Sequence, residues 1–389
     1  MSDPPAPPRL GDPIPWFSAS SVSGARIDIH VDAGRYVVLS FIGEAIDRNT
    51  YVDRRIGMLL RQPKLFGEDH ILCYAILSGR RPDHSFYRGV RKEGFDVLVD
   101  EDGALAAQLG VTAVPHTIVL DPLLRVIASI PHDHPDGHAN MLHKLLAELP
   151  PPELHGGVRQ NAPVLIVPRV FEFELCDFLV NYHVQAGGTD SGFLLDKNGV
   201  TSTVTDYRLK RRTDVLIRDA DLVREVRSRI VRRLAPEIER AFSFKVTRMD
   251  RYLLARYSSQ TGDHFFRHRD NRNAAAAHRR FALTINLNAE KASYEGGDLR
   301  FPEYGKDLYR PPTGGAVVFS CGLLHEVLPV TRGDRFAFVA FLYGEEDALV
   351  RARANERLAE GERQYRGNDD LLVQPEERPA PAEDGSAQA

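Results

Sequence analysis

Three His-x-Asp pairs stand in the sequence: His30-Val-Asp32, His134-Pro-Asp136 and His268-Arg-Asp270. On a strand, residues two apart share a face, so each pair could offer an imidazole and a carboxylate to one ion. Context separates them. His134-Pro-Asp136 contains a proline and reads as a loop between His132 and His138, an adventitious site only. His30-Val-Asp32 precedes a glycine turn, has no third ligand close in sequence and reads as surface. His268-Arg-Asp270 follows Phe265-Phe266 in a strand-like stretch, and His325 lies downstream in the same strand-rich region. Two histidines and a carboxylate leave positions open on an Fe(II) ion, enough for a chelating acid and dioxygen. A closed four-ligand zinc site leaves none. His264 and His268 are four apart and would meet on a helix as a zinc pair. No HExxH accompanies them, and the preceding Gly262 favours a strand.

Arg335 lies ten residues after His325. Alternation puts Arg335, Ala337, Val339 and Phe341 on one face of a strand. A guanidinium among such residues needs an anion, and it grips a carboxylate through two parallel hydrogen bonds. Taken alone, Arg335 would fit a structural salt bridge equally well. Beside two histidines and an aspartate, it reads as the anchor of an acidic co-substrate.

The elements that must position these residues form two regions. From Lys245 to Gly344, short strands are predicted near 245–249, 250–257, 264–270, 281–288, 298–301, 315–320, 324–328 and 335–343. Many short strands between turns indicate a β-sandwich or barrel. Helices precede them: one over 172–182, and one from Asp221 whose Leu222, Val226, Ile230 and Leu234 mark a single face. Pro236 ends that helix or starts another reaching Phe242. Residues 185–200, rich in Gly, Asp and Ser, read as a loop. Residues 208–240 hold eleven Lys or Arg against six Asp or Glu, which reads as the solvated face of an amphipathic helix because no aromatic residues are interleaved.

The N-terminal region alternates differently. Strands are predicted at 36–42, 70–77, 95–100, 117–121 and 126–130, with helices at 46–61, 104–109 and 138–149. That order implies an α/β layer fold with some parallel pairing. A polar Pro/Gly segment, 151–161, reads as a linker between domains at 10–150 and 162–345. Residues 1–9 and the tail from about 366, within a C-terminal extension 346–389, have the composition of disordered chain.

Composition bounds the function. A chain of 389 residues suits two domains. A net charge of −4 argues against whole-chain binding to nucleic acid. Three scattered cysteines, Cys73, Cys176 and Cys321, exclude a disulfide framework and fit a reducing compartment. The N-terminus lacks the pattern of a signal peptide, and no apolar run reaches the roughly 18 residues of a membrane span. A cytoplasmic protein with no membrane partner is the expectation; the oligomeric state is not encoded legibly.

The C-terminal region resembles the Fe(II)/2-oxoglutarate dioxygenases of the prolyl 4-hydroxylase-like branch. The resemblance rests on Tyr257, Gly262, Phe265 and His268-x-Asp270, then Leu287-Asn288, Gly296-Gly-Asp-Leu299-x-Phe301 and Gly314-Gly-Ala-Val-Val-Phe319. It closes on His325-x-Val-x-Pro329-Val-x-x-Gly333-x-Arg335. It implies a double-stranded β-helix (jelly-roll) with supporting helices, iron held by His268, Asp270 and His325, and 2-oxoglutarate held by Arg335 and contacted by Tyr257. It also implies ascorbate as the reductant of the iron and dioxygen as co-substrate. The activity implied is hydroxylation of a C–H bond with release of succinate and CO2, on a peptidyl residue with proline leading. The alternatives are a small-molecule substrate, or a binding and sensing protein with vestigial activity. Many members of the branch carry lysine at the anchor, so Arg335 bears on the substrate subfamily rather than the co-substrate.

Residues 10–150 resemble the thioredoxin-like redoxins, peroxiredoxins in particular. This second resemblance rests on Gly11-Asp-Pro13, Tyr36–Phe41, Asp100-Glu-Asp-Gly103, Gly110-Val111 and Val114-Pro115-His-Thr117. In that family the proline at the Pro115 position is cis and lies beside the active site. The departure is chemical: Gly43-Glu-Ala-Ile-Asp-Arg-Asn-Thr50 has no cysteine where the family keeps its nucleophile. Cys73 falls in an apolar strand and reads as core. The domain is therefore expected to pack or to recruit a protein partner without peroxidase chemistry.

Overall fold

The structure is a computed structural model that describes residues 8–44, 63–67, 69–79, 93–112, 115–131, 135–197 and 200–355. The expected helix at 46–61, the pair partner His134 and the tail from 366 lie outside the described residues. The chain divides into two compact units, residues 1–162 with 300–308, and residues 163–299 with 309–389.

The first unit is built on a seven-stranded sheet. Its order is Arg26–Asp28, Ser18–Ser21, Phe95–Asp100, Ile71–Ser78, Tyr36–Glu44, His116–Leu120 and Val126–Pro131. Tyr36–Glu44, Ile71–Ser78 and Phe95–Asp100 run parallel, and the remaining pairings are antiparallel. Ile71 to Leu77 are all buried, as a parallel strand covered on both faces must be. Val38, Cys73, Ala75 and Val97 pack with Leu142 and Leu146 of the helix Pro135–Glu148. The Asp100 carboxylate accepts from the backbone N–H groups of Leu105 and Ala106, both at 2.9 Å, and so starts the helix Ala104–Gln108. Such an acceptor satisfies donors that a first turn leaves open.

In the second unit, helices lie against a sheet of eight strands. Seven of them follow one another in the order Val164–Val167, Ala316–Ser320, Phe281–Asn286, Val330–Tyr343, Arg248–Ser258, Thr213–Leu216 and Thr189–Asp190. Tyr294–Gly296 pairs with the start of Val330–Tyr343. A smaller sheet sets Lys210–Arg211, His264–His268 and His325–Val327 side by side, antiparallel. Leu175, Cys176 and Leu179 of the helix Phe173–Ala186 pack with Leu254, Leu283, Ile285 and Phe338 of the larger sheet. The Leu222, Val226, Ile230, Leu234 stripe is buried in the same core. A strict four-residue repeat drifts around a 3.6-residue helix. Here the helix Ala220–Arg229 widens into a π-turn over Ile230–Leu234 before Ala235–Phe242. The wider turn keeps the stripe facing inward, and Pro236, which has no N–H to donate, opens the second helix. Among the described residues, no helix is long and apolar enough to cross a membrane.

Three local expectations are corrected. The stretch expected as a loop over 185–200 holds a strand, Phe193–Lys197, that pairs antiparallel with Val200–Val204; the overlooked sequence signal is the Asn198-Gly199 dipeptide. The two strands expected at 245–249 and 250–257 are one, Arg248–Ser258, with a register shift between Asp250 and Leu253 and Arg251 at φ 61°. The strand expected over 264–270 stops at His268, so Asp270 lies beyond its end.

Candidate metal centre

His268 ends one strand of the small sheet and His325 begins its neighbour, where the two residues are cross-strand partners. Their rings are 4.2 Å apart, centroid to centroid. Asp270, past the strand end, turns its carboxylate between them. Its Oδ1 is 3.4 Å from His268 Nε2 and its Oδ2 is 3.3 Å from His325 Nε2. Among the described residues, this is the one group of three His, Cys, Asp or Glu side chains that converges closely enough to hold an ion.

The backbone sets the tautomers. His268 Nδ1 faces the Phe266 carbonyl at 2.7 Å, and His325 Nδ1 faces the Leu323 carbonyl at 3.1 Å. A carbonyl only accepts, so each Nδ1 carries a proton, and each Nε2 is turned toward the carboxylate. Phe265 stacks on His268 with centroids 3.4 Å apart and fixes that ring's plane. Burial, reinforced by the neighbouring His268, pulls the His325 pKa down to about 4. Burial alone would raise the Asp270 carboxyl. His325 first, then His268 and Arg279, outweigh it and hold the group well below the usual carboxylate range. A divalent ion would take Nε2 of each imidazole together with the carboxylate, in competition with protons.

Arg335 is 3% exposed, and among the described residues no acid pairs with it. Its Nε has no hydrogen-bond partner. It sits opposite Tyr257 in the register of the large sheet, with its guanidinium carbon 5.6 Å from the Tyr257 ring centre. Glycines make the room. A Cβ on Gly297 would come within 2.9 Å of Arg335 Cδ, and one on Gly333 within 2.0 Å of the Ser293 carbonyl oxygen. Asn288 holds the strand from the side, accepting from Phe336 N and donating to the Asp334 carbonyl.

Residues 252–343 match the 2OG-Fe(II) oxygenase superfamily. The chain is also similar in sequence to a PKHD-type hydroxylase of a Polaromonas species, 35% identical over 109 residues, which are 26% of this chain and 46% of that protein. The chain thus spans about half the length of the curated relatives it matches. Among solved structures, a Pseudomonas putida prolyl-4-hydroxylase aligns with 49% of this chain and 96% of its own at 18% identity, TM-score 0.38. The thioredoxin domain of a thiol-disulfide oxidoreductase from Bacteroides vulgatus aligns with 36% of this chain and 98% of its own, at 16% identity and TM-score 0.29.

The other candidates fall elsewhere. His264 is engaged by the carbonyls of Gly262 and Arg208, at 2.9 and 3.2 Å, and makes no zinc pair with His268. Asp32 is buried rather than on the surface. It pairs with Arg35 at 2.9 Å and accepts from the Tyr74 hydroxyl at 2.8 Å. Cys73 is fully buried, and burial pushes its thiol far up.

The basic stretch 208–240 is not wholly a solvated face. Arg224, Arg229, Arg233 and Arg240 do pair with acids near the surface. Arg212 is buried, 2.8 Å from Asp214, and donates to the Tyr257 hydroxyl at 2.9 Å. Lys210 is buried as well. Its Nζ donates to the Gly192 carbonyl at 2.6 Å, and burial sets its pKa well below the ordinary lysine value. The legible signal was the alternation of Lys210 and Arg212 before the β-branched run Thr213–Ile217.

Proposed function

We propose that the domain spanning residues 162–345 is an Fe(II)- and 2-oxoglutarate-dependent dioxygenase that hydroxylates a C–H bond of a peptidyl residue, with proline the leading candidate. The observation that carries the reading is the convergence of His268, Asp270 and His325 with both Nε2 atoms turned on one carboxylate. The buried, unpaired Arg335 supports it as the site of the distal carboxylate of 2-oxoglutarate, because a guanidinium in that setting lacks its anion. The two sheets are read as the halves of a double-stranded β-helix. Similarity to a protein named as a hydroxylase supports the reaction class, and the sequence resemblance to the prolyl 4-hydroxylase-like branch supports proline.

In this reading, His268, Asp270 and His325 hold Fe(II), which supplies dioxygen activation coupled to oxidation of 2-oxoglutarate to succinate and CO2. The residues of this chain bind and orient. Arg335 takes the far carboxylate and Tyr257 lies beside it. Phe265 covers His268 on one face, and Phe319 packs edge-on to His325 with centroids 4.6 Å apart. Ascorbate fits as the reductant that keeps the metal ferrous. The N-terminal unit is read as a recruiting module for a protein partner, since its one cysteine is buried.

The test is succinate release from 2-oxoglutarate by iron-loaded protein, with and without proline-containing peptides. Peptide-stimulated turnover that is lost in His268→Ala supports the reading. Stimulation by free amino acids or lipids instead moves the substrate to small molecules. Neither turnover nor 2-oxoglutarate binding sinks it.

A further inference from the structure

Asp270 lies outside the strand that carries His268, so no sheet ladder fixes its backbone. Its position is set elsewhere. Its N–H donates to the Cys321 carbonyl at 3.0 Å, and the Cys321 N–H donates to the Arg280 carbonyl at 2.9 Å. Its own carbonyl accepts from Arg279 Nη1 at 3.4 Å. Both paths lead to the same segment, His278-Arg279-Arg280.

That segment is itself held by two buried carboxylates. Asp250 Oδ2 lies 3.1 Å from His278 Nε2 and 3.7 Å from Arg279 Nε. Asp347 Oδ1 accepts from Arg280 Nε at 2.7 Å. Asp250 and Asp347 are 3% and 2% exposed, depths at which a carboxylate persists only when paired. Asp250 stands at the register shift of the strand Arg248–Ser258, with its carboxylate turned toward His278 and Arg279. Asp347 belongs to the helix Glu345–Asn355, beyond the 252–343 match. Arg279 also packs over the Phe341 ring at 3.9 Å, which fixes the plane of its guanidinium.

We infer that His278-Arg279-Arg280, charge-balanced by Asp250 and by Asp347 of the C-terminal helix, is a positioning device that holds Asp270 in the geometry a metal needs. None of these residues belongs to the converging group of His268, Asp270 and His325. The inference rests on the reading of His268, Asp270 and His325 as a metal site. Loss of outer partners of a metal ligand typically weakens binding by about 10–100-fold.

The experiment measures Mn(II) affinity of the full chain by calorimetry, with thermal unfolding and the Co(II) absorption band shape alongside. Asp250→Asn keeps the volume and removes the charge. Arg279→Lys keeps the charge and withdraws the planar donor from the Asp270 carbonyl, which guards against a variant that fails to fold. Glu172→Gln breaks a different ion-pair cluster, with Arg229 and Arg233, and serves as the control. Asp250→Asn and Arg279→Lys are expected to weaken Mn(II) binding about 10-fold or more and to change the Co(II) band. Glu172→Gln is expected to shift only the unfolding temperature. Wild-type Mn(II) affinity in either folded variant overturns the inference while leaving the metal site standing. A wild-type chain that binds no Mn(II) overturns both.

Discussion

His30-Val-Asp32 and His268-Arg-Asp270 carry the same motif and meet opposite ends. In the first, the carboxylate is already engaged: Arg35 takes one oxygen and the Tyr74 hydroxyl the other. His30 lies against Trp16 instead, with centroids 5.6 Å apart. In the second, each carboxylate oxygen faces the Nε2 of an imidazole whose Nδ1 is already turned to a backbone carbonyl. The same contrast separates two buried arginines near Tyr257. Arg212 has Asp214 and the Tyr257 hydroxyl, whereas no acid among the described residues pairs with Arg335. A group whose partners are all present is part of the fold. A group buried with a partner missing is preorganised for a ligand, because its desolvation is only compensated when that ligand arrives.

The largest expected effect breaks the first comparison outright. His268→Ala removes one of the three converging side chains and is expected to abolish Mn(II) binding, with succinate formation down about 1,000-fold or more. Asp32→Asn breaks a buried ion pair, which costs about 3–5 kcal/mol of stability, and is expected to lower the unfolding temperature with Mn(II) affinity unchanged. Equal effects of the two variants on metal affinity would show that burial, not convergence, distinguishes the pairs.

Next comes the contrast between the arginines. Truncating one side of a buried charge pair costs about 2–5 kcal/mol. Arg335→Gln is therefore expected to raise the 2-oxoglutarate Kd roughly 30-fold to over 1,000-fold, with Mn(II) affinity unchanged. Arg335→Lys is expected to recover part of the loss, since either cation binds a carboxylate. Arg212→Gln is expected to lower stability more than it lowers 2-oxoglutarate affinity. Equilibrium binding of 2-oxoglutarate to the Mn(II) protein reads both.

The pH dependence comes third and belongs to the second His-x-Asp pair. The His325 pKa is depressed in the folded chain, from an ordinary 6.5 to about 4. As pH falls below 6.5 the unfolded chain takes up a proton that the folded chain refuses. Stability is therefore lost between pH 6.5 and about 4, by roughly 3 kcal/mol for this group. Asp270, whose pKa is also depressed, loses its contribution on acidification too, so the signs agree. Thermal unfolding of metal-free protein is expected to show that slope. His325→Gln is expected to flatten it, and Asp32→Asn to leave it in place. A slope unchanged in His325→Gln would place the titrating group elsewhere.

The sequence pointed to His325 as a candidate third ligand and to the arginine offset, but it did not show why Asp270 is held. His325 and Arg335 were legible because spacing and strand alternation are local. The pairs Arg279–Asp250 and Arg280–Asp347 were not, because they meet over separations that no local pattern encodes, and each residue alone reads as an ordinary surface charge. The pairing of Phe193–Lys197 with Val200–Val204 was missed for another reason: its Gly- and Asp-rich flanks outweighed the Asn198-Gly199 turn signal. The parallel strands of the first unit were legible as apolar runs, since burial on both faces leaves no alternation to misread. The inward turn of Lys210 and Arg212 went unread because a run of basic residues normally marks a solvated surface.

The smallest expected effect sharpens the arginine contrast most. Tyr257 is 2% exposed, and its ring centre lies 5.6 Å from the guanidinium carbons of both Arg212 and Arg335. Among the described residues, its hydroxyl accepts from Arg212 alone. Tyr257→Phe keeps the ring and removes that acceptor, so the direct loss falls on Arg212, about 1–2 kcal/mol of stability. Arg212 keeps Asp214, which limits the damage. If Tyr257 also contacts 2-oxoglutarate, the same variant raises its Kd several-fold, and the two losses must be separated. A double-mutant cycle does so. Tyr257→Phe combined with Arg335→Lys should show coupling in 2-oxoglutarate binding, since both would touch one carboxylate. Combined with Asp214→Asn it should show coupling in stability alone. Additive 2-oxoglutarate affinities in the first cycle would confine Tyr257 to supporting Arg212 and leave Arg335 to hold the co-substrate by itself.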